Sequence, residues 1–170
     1  MIMIEKDNIA LIPYTHEDDF DMYQCWKDKQ TQKGYNYLFN QEFEEFSKTD
    51  ISRFKFWATV VDKNLNKRIG VLRLGLDEEC PDLAIWIYPQ YRNRGYGTKS
   101  LRIALEYIFD NFHYQEIAAG CYYDNTYSLK MLDRVGFERF PDGDEIEKNC
   151  FTDGETTQLS FKISESALRK

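Results

Sequence analysis

Histidine is almost absent: only His16 and His113 occur among the 170 residues. The four cysteines, Cys25, Cys80, Cys121 and Cys150, contain no C-x-x-C spacing. With so few partners, neither a zinc site nor a disulfide framework is expected. The thiols read as reduced in a cytoplasmic protein, and no metal is assigned. No apolar run approaches ~18 residues, so no membrane span and no membrane partner are expected. The opening Met1-Ile2-Met3-Ile4 breaks into Glu5, Lys6 and Asp7 before a signal-peptide core can form. An excess of positive charge is missing as well: 22 Lys and Arg stand against 29 Asp and Glu, a net −7. A nucleic-acid partner needs a basic face, so none is expected, and the balance mildly favours a cationic one. Linkers, low-complexity stretches and internal repeats are lacking, and residues 1–170 read as a single domain.

Large rings are plentiful: 12 Tyr, 12 Phe and 3 Trp. That many rings excludes a solvated coil, and a chain of this length buries roughly 70% of its unfolded surface. Ile9 to Tyr14 reads as a first strand. Thr15 then suits a helix N-cap, with Glu17, Asp18 and Asp19 in the first turn and the helix running to about Lys27. Lys29 to Asn40 shows no clear period, and Glu42 to Ser47 suits a short helix. Phe54 to Val61 alternates with period two, setting Phe54, Phe56, Ala58 and Val60 against Lys55, Trp57 and Thr59. After a turn over Asp62 to Lys67, Arg68 to Leu76 reads as the return strand of a hairpin. Leu83 to Tyr88 is a strand stopped by Pro89.

Farther on, Thr98 to Phe112 carries Leu101, Leu105, Ile108 and Phe112 on one helical stripe. Glu116 to Tyr122 is a strand, and Asn125 to Val135 a helix closed by Gly136. Phe137 to Phe140 and Thr156 to Ile163 are strands around an acidic loop, Asp142 to Asn149. This order predicts a mixed α/β fold on one central sheet.

Chemistry concentrates where the Leu83 strand gives way to the Thr98 helix, through Arg92-Asn93-Arg94-Gly95-Tyr96-Gly97. Two glycines allow the backbone to turn its amides inward, and the first helical turn adds free N–H groups. Together they form a cradle for a diphosphate, with Arg92 and Arg94 beside it. The spacing is neither G-x-x-x-x-G-K-[ST] nor G-x-G-x-x-G, because Ser100 occupies the third glycine position.

This segment resembles the R/Q-x-x-G-x-G/A signature of the GNAT acyltransferase superfamily. Asp82 to Pro89 resembles that family's fourth strand. Asn125-Thr126-Tyr127-Ser128 with Val135-Gly136-Phe137 resembles its N-x-x-S…G-F segment. The combination is similar to the branch of bacterial ribosomal-protein N-terminal and polyamine acetyltransferases. The resemblance implies a mostly antiparallel sheet flanked by helices, and acetyl transfer from acetyl-CoA to a primary amine on a small molecule or a peptide N-terminus. It implies that the amides of Arg94, Gly95, Tyr96, Gly97, Thr98 and Lys99 hold the diphosphate, with Arg92 beside them. Backbone groups of Trp86, Ile87 and Tyr88 would pair with the pantetheine arm, and Asn125 would hydrogen-bond it. A homodimer through the last strands is a further implication.

Acetyl transfer needs a deprotonated amine, a donor for the developing oxyanion and a proton for the leaving thiolate. Asp82 matches the family's strand-four carboxylate and is the candidate base, with Glu78 and Glu79 as alternatives through water. The Ile87 N–H is the candidate oxyanion donor. Where many relatives carry a tyrosine, Leu132 stands, and it cannot give a proton. Ser128 is the first candidate acid, with Tyr122, Tyr123, Tyr127 or water as alternatives. Tyr35, Tyr37, Phe39, Trp57, Tyr122 and Tyr123 are candidates for the acceptor pocket, and acidic turns at 77–79 and 142–147 would attract a cationic acceptor. A CoA-binding sensor or interaction module with no useful catalysis is the alternative, prompted by Leu132.

Overall fold

The computed structural model describes every residue from Met1 to Lys170. An antiparallel sheet of five strands follows chain order: β1 (Ile4–Lys6), β2 (Ile9–Pro13), β3 (Trp57–Asp62), β4 (Lys67–Leu74) and β5 (Leu83–Ile87). Between β2 and β3 the chain leaves the sheet for α1 (Asp19–Lys27), α2 (Lys29–Gly34) and α3 (Phe43–Phe46). Next come α4 (Tyr96–Asn111), β6 (Glu116–Tyr122), α5 (Thr126–Val135), β7 (Glu138–Arg139), β8 (Glu145–Lys148), β9 (Glu155–Ser164) and α6 (Glu165–Leu168). β6 lies along β9 on one side, while β7 and β8 pair with it as well, all antiparallel. The expected single sheet is thus two sheets. They touch at one parallel bridge, Asp82 with Ala118, backed by the Ala118 N–H donating to the Pro81 carbonyl at 3.0 Å.

Local chemistry sets the ends of these elements. Thr15 forms a capping box with Asp18, Asp28 caps α2 through the Thr31 N–H, and Asn125 caps α5 through the Ser128 N–H. α5 ends at Gly136, φ 110°. The strand expected from Phe54 starts only at Trp57, because Asp50 caps a 3-10 turn over Ile51–Arg53. β8 replaces part of the expected acidic loop. Its sequence, Glu-Ile-Glu-Lys, leaves Ile146 71% exposed, so no apolar alternation marked it as a strand. α2 was unreadable for a related reason: it is short and polar, and only Thr31 is buried in it.

The five-stranded sheet is covered on both faces. α4 packs Leu101, Leu105 and Ile108 against Ile9, Leu11, Val60 and Leu72 in the main core, which continues to Ile117 and Ile163 of the second sheet. Full burial of each such side chain stabilises by about 1.5–3 kcal/mol. On the other face Tyr14, Met22, Cys25, Trp57, Val71, Trp86 and Tyr88 form a second cluster. Trp57 was expected on a polar face with Lys55 and Thr59. Instead it stacks on Tyr14 at 4.3 Å, and Thr59 beside it is fully buried. A strand covered from both sides has no solvent face, so its alternation does not separate apolar from polar surroundings. No helix is long and apolar enough to cross a membrane.

On β4, Gly70 leaves no room for a side chain against β5. A Cβ there would lie 2.3 Å from the Trp86 carbonyl oxygen, which is fixed in the ladder. Gly70→Ala is therefore expected to destabilise the protein by about 1–3 kcal/mol through overpacking. An unaltered urea midpoint would show that the two strands can separate without loss.

Candidate functional site

Beyond the Asp82–Ala118 bridge, β5 and β6 diverge and no ladder joins them. A cavity of about 430 Å³ occupies the gap. β5 gives it Asp82, Ile85, Trp86 and Ile87, β6 gives Tyr122, α5 gives Ser128 with the capping Asn125, and the α2 segment gives Thr31 and Tyr35. The backbone phase of β5 decides which groups face the gap. The Gly75 N–H donates to the Asp82 carbonyl at 2.7 Å, and the Tyr88 N–H donates to the Ile69 carbonyl at 2.9 Å. Residues 82, 84, 86 and 88 therefore turn their backbone to β4, and those of Ile85 and Ile87 turn toward β6. This corrects the expected pantetheine edge: Trp86 contributes its ring to the wall but not its backbone, and Tyr88 is buried beneath α1. Two carbonyls on this edge already have partners. That of Ile85 accepts from the Tyr35 hydroxyl at 2.6 Å, and that of Ile87 accepts from Arg92 Nε at 3.3 Å.

The glycine loop leads from β5 into α4 through two left-handed residues, Asn93 (φ 61°) and Gly95 (φ 80°). Gly95 is the N-cap, and no side chain caps the helix. The amides of its first turn are thus free, as an anion site requires. Lys99 departs from expectation, because its N–H donates to the Gly95 carbonyl at 3.4 Å. The Tyr96 ring turns away from the loop, and its hydroxyl donates to Asp62 at 2.5 Å. Burial alone would raise the Asp62 carboxyl, but hydrogen bonds from Tyr96, the Leu65 and Asn64 amides and Asn8 hold it below the usual range. Gly97 is buried against α5; a Cβ on it would lie 2.9 Å from Met131 Sδ and 3.5 Å from the Tyr127 hydroxyl. Arg94 and Thr98 flank this turn, Arg94 exposed and Thr98 half-buried.

Arg92 departs further from its expected place beside the diphosphate. It lines the cavity, yet its guanidinium donates to Asp28 at 2.9 Å, to Gln30 at 3.3 Å and to Thr31 at 2.5 Å. It therefore binds the N-terminus of α2 to the end of β5. Burial opposes ionisation of Asp28, but the Arg92 and Thr31 hydrogen bonds outweigh it and keep that carboxyl below its ordinary value.

The proposed reacting groups share one cavity: Asp82 at its apex, Ile87 along one wall, Asn125 and Ser128 across from it. The Asn125 carbonyl oxygen accepts from the Ser128 N–H at 3.2 Å, so capping occupies that half of its amide. Glu78, Glu79 and Tyr123 are exposed and lie outside the cavity lining. Leu132 is buried in the wall. Burial lifts the Cys121 thiol to about 11, which leaves it protonated at neutral pH and unsuited to nucleophilic attack. Sequence reasoning missed Asn36 and the partnering of Glu147. The Tyr122 hydroxyl donates to Glu147 at 2.6 Å, and Asn36 Nδ2 reaches the same carboxylate oxygen at 2.8 Å. Asn36 also accepts from the Cys150 amide at 2.8 Å, so it latches the end of the α2 segment to β8. No sequence signal marked that contact, which joins residues 111 positions apart.

A model of the GNAT acetyltransferase domain matches residues 8–138. Over 55 residues the chain is 31% identical to YnaD of Bacillus subtilis (strain 168), an uncharacterized N-acetyltransferase, and the aligned stretch spans 32% of each protein. The chain thus aligns with about a third of that relative's length. Among solved structures, a spermidine N-acetyltransferase from Vibrio cholerae, in complex with CoA and spermine, has a TM-score of 0.83 at 16% identity, over 97% of this chain and 100% of that one. A GNAT-family acetyltransferase from Bacillus anthracis gives 0.78 at 17% identity, over 98% and 99%. An acetyltransferase from Salmonella typhimurium that modifies the N-terminal serine of a 50S ribosomal subunit protein gives 0.75 at 13%, over 96% and 99%. At these identities the likeness is one of fold.

The Arg92 contacts distinguish it from Arg94. Arg92→Ala is expected to lower stability by about 1–3 kcal/mol, since it leaves Asp28 and Thr31 without their partner. Arg94→Ala is expected to stay within about 0.5 kcal/mol of the parent. Equal denaturation midpoints for the two variants would show that the Arg92 clamp contributes nothing.

Proposed function

The chain belongs to the GNAT acetyltransferase family, and on that footing we propose that it transfers the acetyl group of acetyl-CoA to a primary amine by direct attack in a ternary complex. The observation that carries this reading is the cleft itself, bounded by an unladdered strand edge and adjoining an uncapped helix N-terminus. The edge of β5 at Ile85 and Ile87 accepts the pantetheine arm as an added strand would. The free amides of Gly95, Tyr96, Gly97 and Thr98, with Arg94 nearby, hold the diphosphate. Asn125 uses its uncommitted Nδ2 toward the arm.

Within the cleft, Asp82 takes the proton of the incoming ammonium, directly or through a water, so that the nitrogen lone pair can attack the thioester carbon. The Ile87 N–H stabilises the charge that develops on the thioester oxygen. As the carbon–sulfur bond breaks, the Ser128 hydroxyl gives its proton to the thiolate and regains one from the new amide nitrogen, which sheds its second proton; the Tyr127 hydroxyl, beside Gly97, is the second candidate. The acceptor is a primary amine on a small molecule, such as a polyamine, or on a protein N-terminus; the spermidine acetyltransferase and the ribosomal-protein acetyltransferase named above, which share this fold, support one of each. The four unpaired cysteines suit a reducing compartment, and we place the reaction in the cytoplasm, carried out by one domain of residues 1–170. A homodimer through the last strands belongs to the same proposal. A second reading, a CoA-binding module with little turnover, rests on Leu132 in the cavity wall.

Thiol release from acetyl-CoA over an amine panel tests these roles. Gly97→Glu is expected to weaken acetyl-CoA by more than about tenfold, because it places bulk and negative charge beside the diphosphate cradle. Asp82→Asn is expected to lower kcat by about 10²-fold, and Ser128→Ala by about tenfold. Full turnover in Ser128→Ala would pass the acid role to Tyr127 or water. Acetyl-CoA binding with no turnover on any amine would favour the binding module.

A further inference from the structure

Ile117, Ala119 and Cys121 of β6 enter the main core, so Ala118, Gly120 and Tyr122 occupy its other face. β9 places Gln158 opposite Tyr122, on that same face. Gln158 does not stand upright over its own strand. It lies across β6, in the space that a side chain at residue 120 would fill. A Cβ on Gly120 would come within 2.9 Å of Gln158 Nε2, 3.1 Å of its Cδ and 3.4 Å of its Cγ. A glycine inside a strand weakens it and often marks a close approach of this kind. Gly75 does the same for Asp82, whose Oδ1 lies where a Cβ on Gly75 would be. Both of these polar groups line the cavity. Asp82 joins none of the chain's ion pairs. Gln30 and Gln32 of α2 have partners in Arg92 and the Phe39 amide, and the Tyr122 hydroxyl has one in Glu147. The Gln158 carboxamide is half-buried, and no group of the protein hydrogen-bonds it. Two N–H donors and an acceptor oxygen are therefore left for whatever enters the cleft.

The parallel bridge between Asp82 and Ala118 fixes what stands across the gap. One side-chain step farther along each strand, Ala84 is level with Gly120, and a second step brings Trp86 level with Tyr122. All four line the cavity. Large rings thus narrow one end, while the walls at Ala84 and Gly120 carry a methyl group and a hydrogen. That is the open place on this face, with the Asp82 carboxylate one step behind it and the Gln158 carboxamide over Gly120. The charges of the lining cancel: Asp82 and Asp124 stand against Lys33 and Arg92. A polyamine calls for carboxylates spaced along its length, and this lining has no such surplus. Beside the acid it offers a neutral group that both donates and accepts. A peptide N-terminus matches that pair, because its ammonium is followed directly by backbone carbonyl and N–H groups.

We propose that Gln158 is a specificity-determining residue whose carboxamide hydrogen-bonds the peptide backbone that follows the acceptor amine, so that the substrate is a peptide N-terminus and not a polyamine. This rests on the acetyl-transfer reading above. Asp82 serves the ammonium, Gln158 Nε2 donates to a peptide carbonyl, and Oε1 accepts from a peptide N–H. Gly120 is the residue that lets the carboxamide reach this position.

The test compares acceptors with and without the peptide group: alaninamide with isopropylamine, and the amidated peptide Ser-Ala-Ala with ethanolamine, alongside spermidine and cadaverine. Acceptor binding to the full chain is followed by calorimetry with and without CoA, and turnover by thiol release. The parent is expected to favour at least one peptide amide over its partner amine by about tenfold in Kd or kcat/KM, mostly through KM. In Gln158→Leu this ratio is expected to fall toward one. Gly120→Ala keeps the glutamine but displaces its amide, and is expected to reproduce that fall. The acetyl-CoA-induced rise in Tm persists in both and shows them folded. Each pair is compared between parent and variant, so the basicity of the amines cancels. Gln158→Glu removes the donors and adds a charge, and is expected to turn the preference toward spermidine and cadaverine. The inference is overturned if spermidine or the simple amines bind the parent as well as the peptide amides, if no peptide amide binds, or if Gln158→Leu weakens both members of each pair equally. A ratio unchanged in Gly120→Ala would also overturn it, since the carboxamide would not be acting from its place over Gly120. Absence of acetyl-CoA binding by the parent protein would instead defeat the acetyl-transfer reading, and the peptide-binding measurements without CoA still decide the role of Gln158.

Discussion

Two strands that meet at a single bridge and then part determine the layout of everything around them. Once β5 and β6 separate after Asp82 and Ala118, the Ile85 and Ile87 backbone groups have no strand to pair with. Buried backbone donors and acceptors need partners. The molecule supplies some from side chains, Tyr35 to one carbonyl and Arg92 to another, and leaves the N–H edge facing a cavity. A gap of this kind would collapse under ordinary packing. It persists because each sheet is anchored separately, the first on α4 and the second on β9, with one core running beneath both.

Two polar ties frame the opening. Arg92 ties the α2 N-terminus to the end of β5 through Asp28 and Thr31, and Asn36 ties the far end of that segment to β8 through Glu147, Lys148 and Cys150. A stretch with only one buried side chain in its helix therefore holds its place by hydrogen bonds more than by apolar packing. Such segments move at lower free energy than core elements. The wall that this segment gives the cleft thus opens at lower free energy than the wall given by β5 and α4, which belong to the packed core.

Much of this was legible in the residues. Strand β6, helix α5 with its Asn125 cap and Gly136 ending, and the long apolar stripe of α4 follow from periodicity and capping, which are local properties. The glycine loop was readable because the left-handed turn at Gly95 is a backbone geometry that few residue types permit. Elements whose stability is tertiary were not readable: β8, whose polar residues gain order only by pairing with β9, and α2, fixed by contacts from distant residues.

The sequence by itself determined the family resemblance, the order of most strands and helices, and the residue types at the loop, because motif, period and cap act over a few neighbouring positions. Only the tertiary structure decided which backbone groups of β5 face the gap, that Arg92 is an internal tie, and that Gln158 lies over Gly120. Those facts depend on register and on side chains brought together from far along the chain, and no local rule contains them.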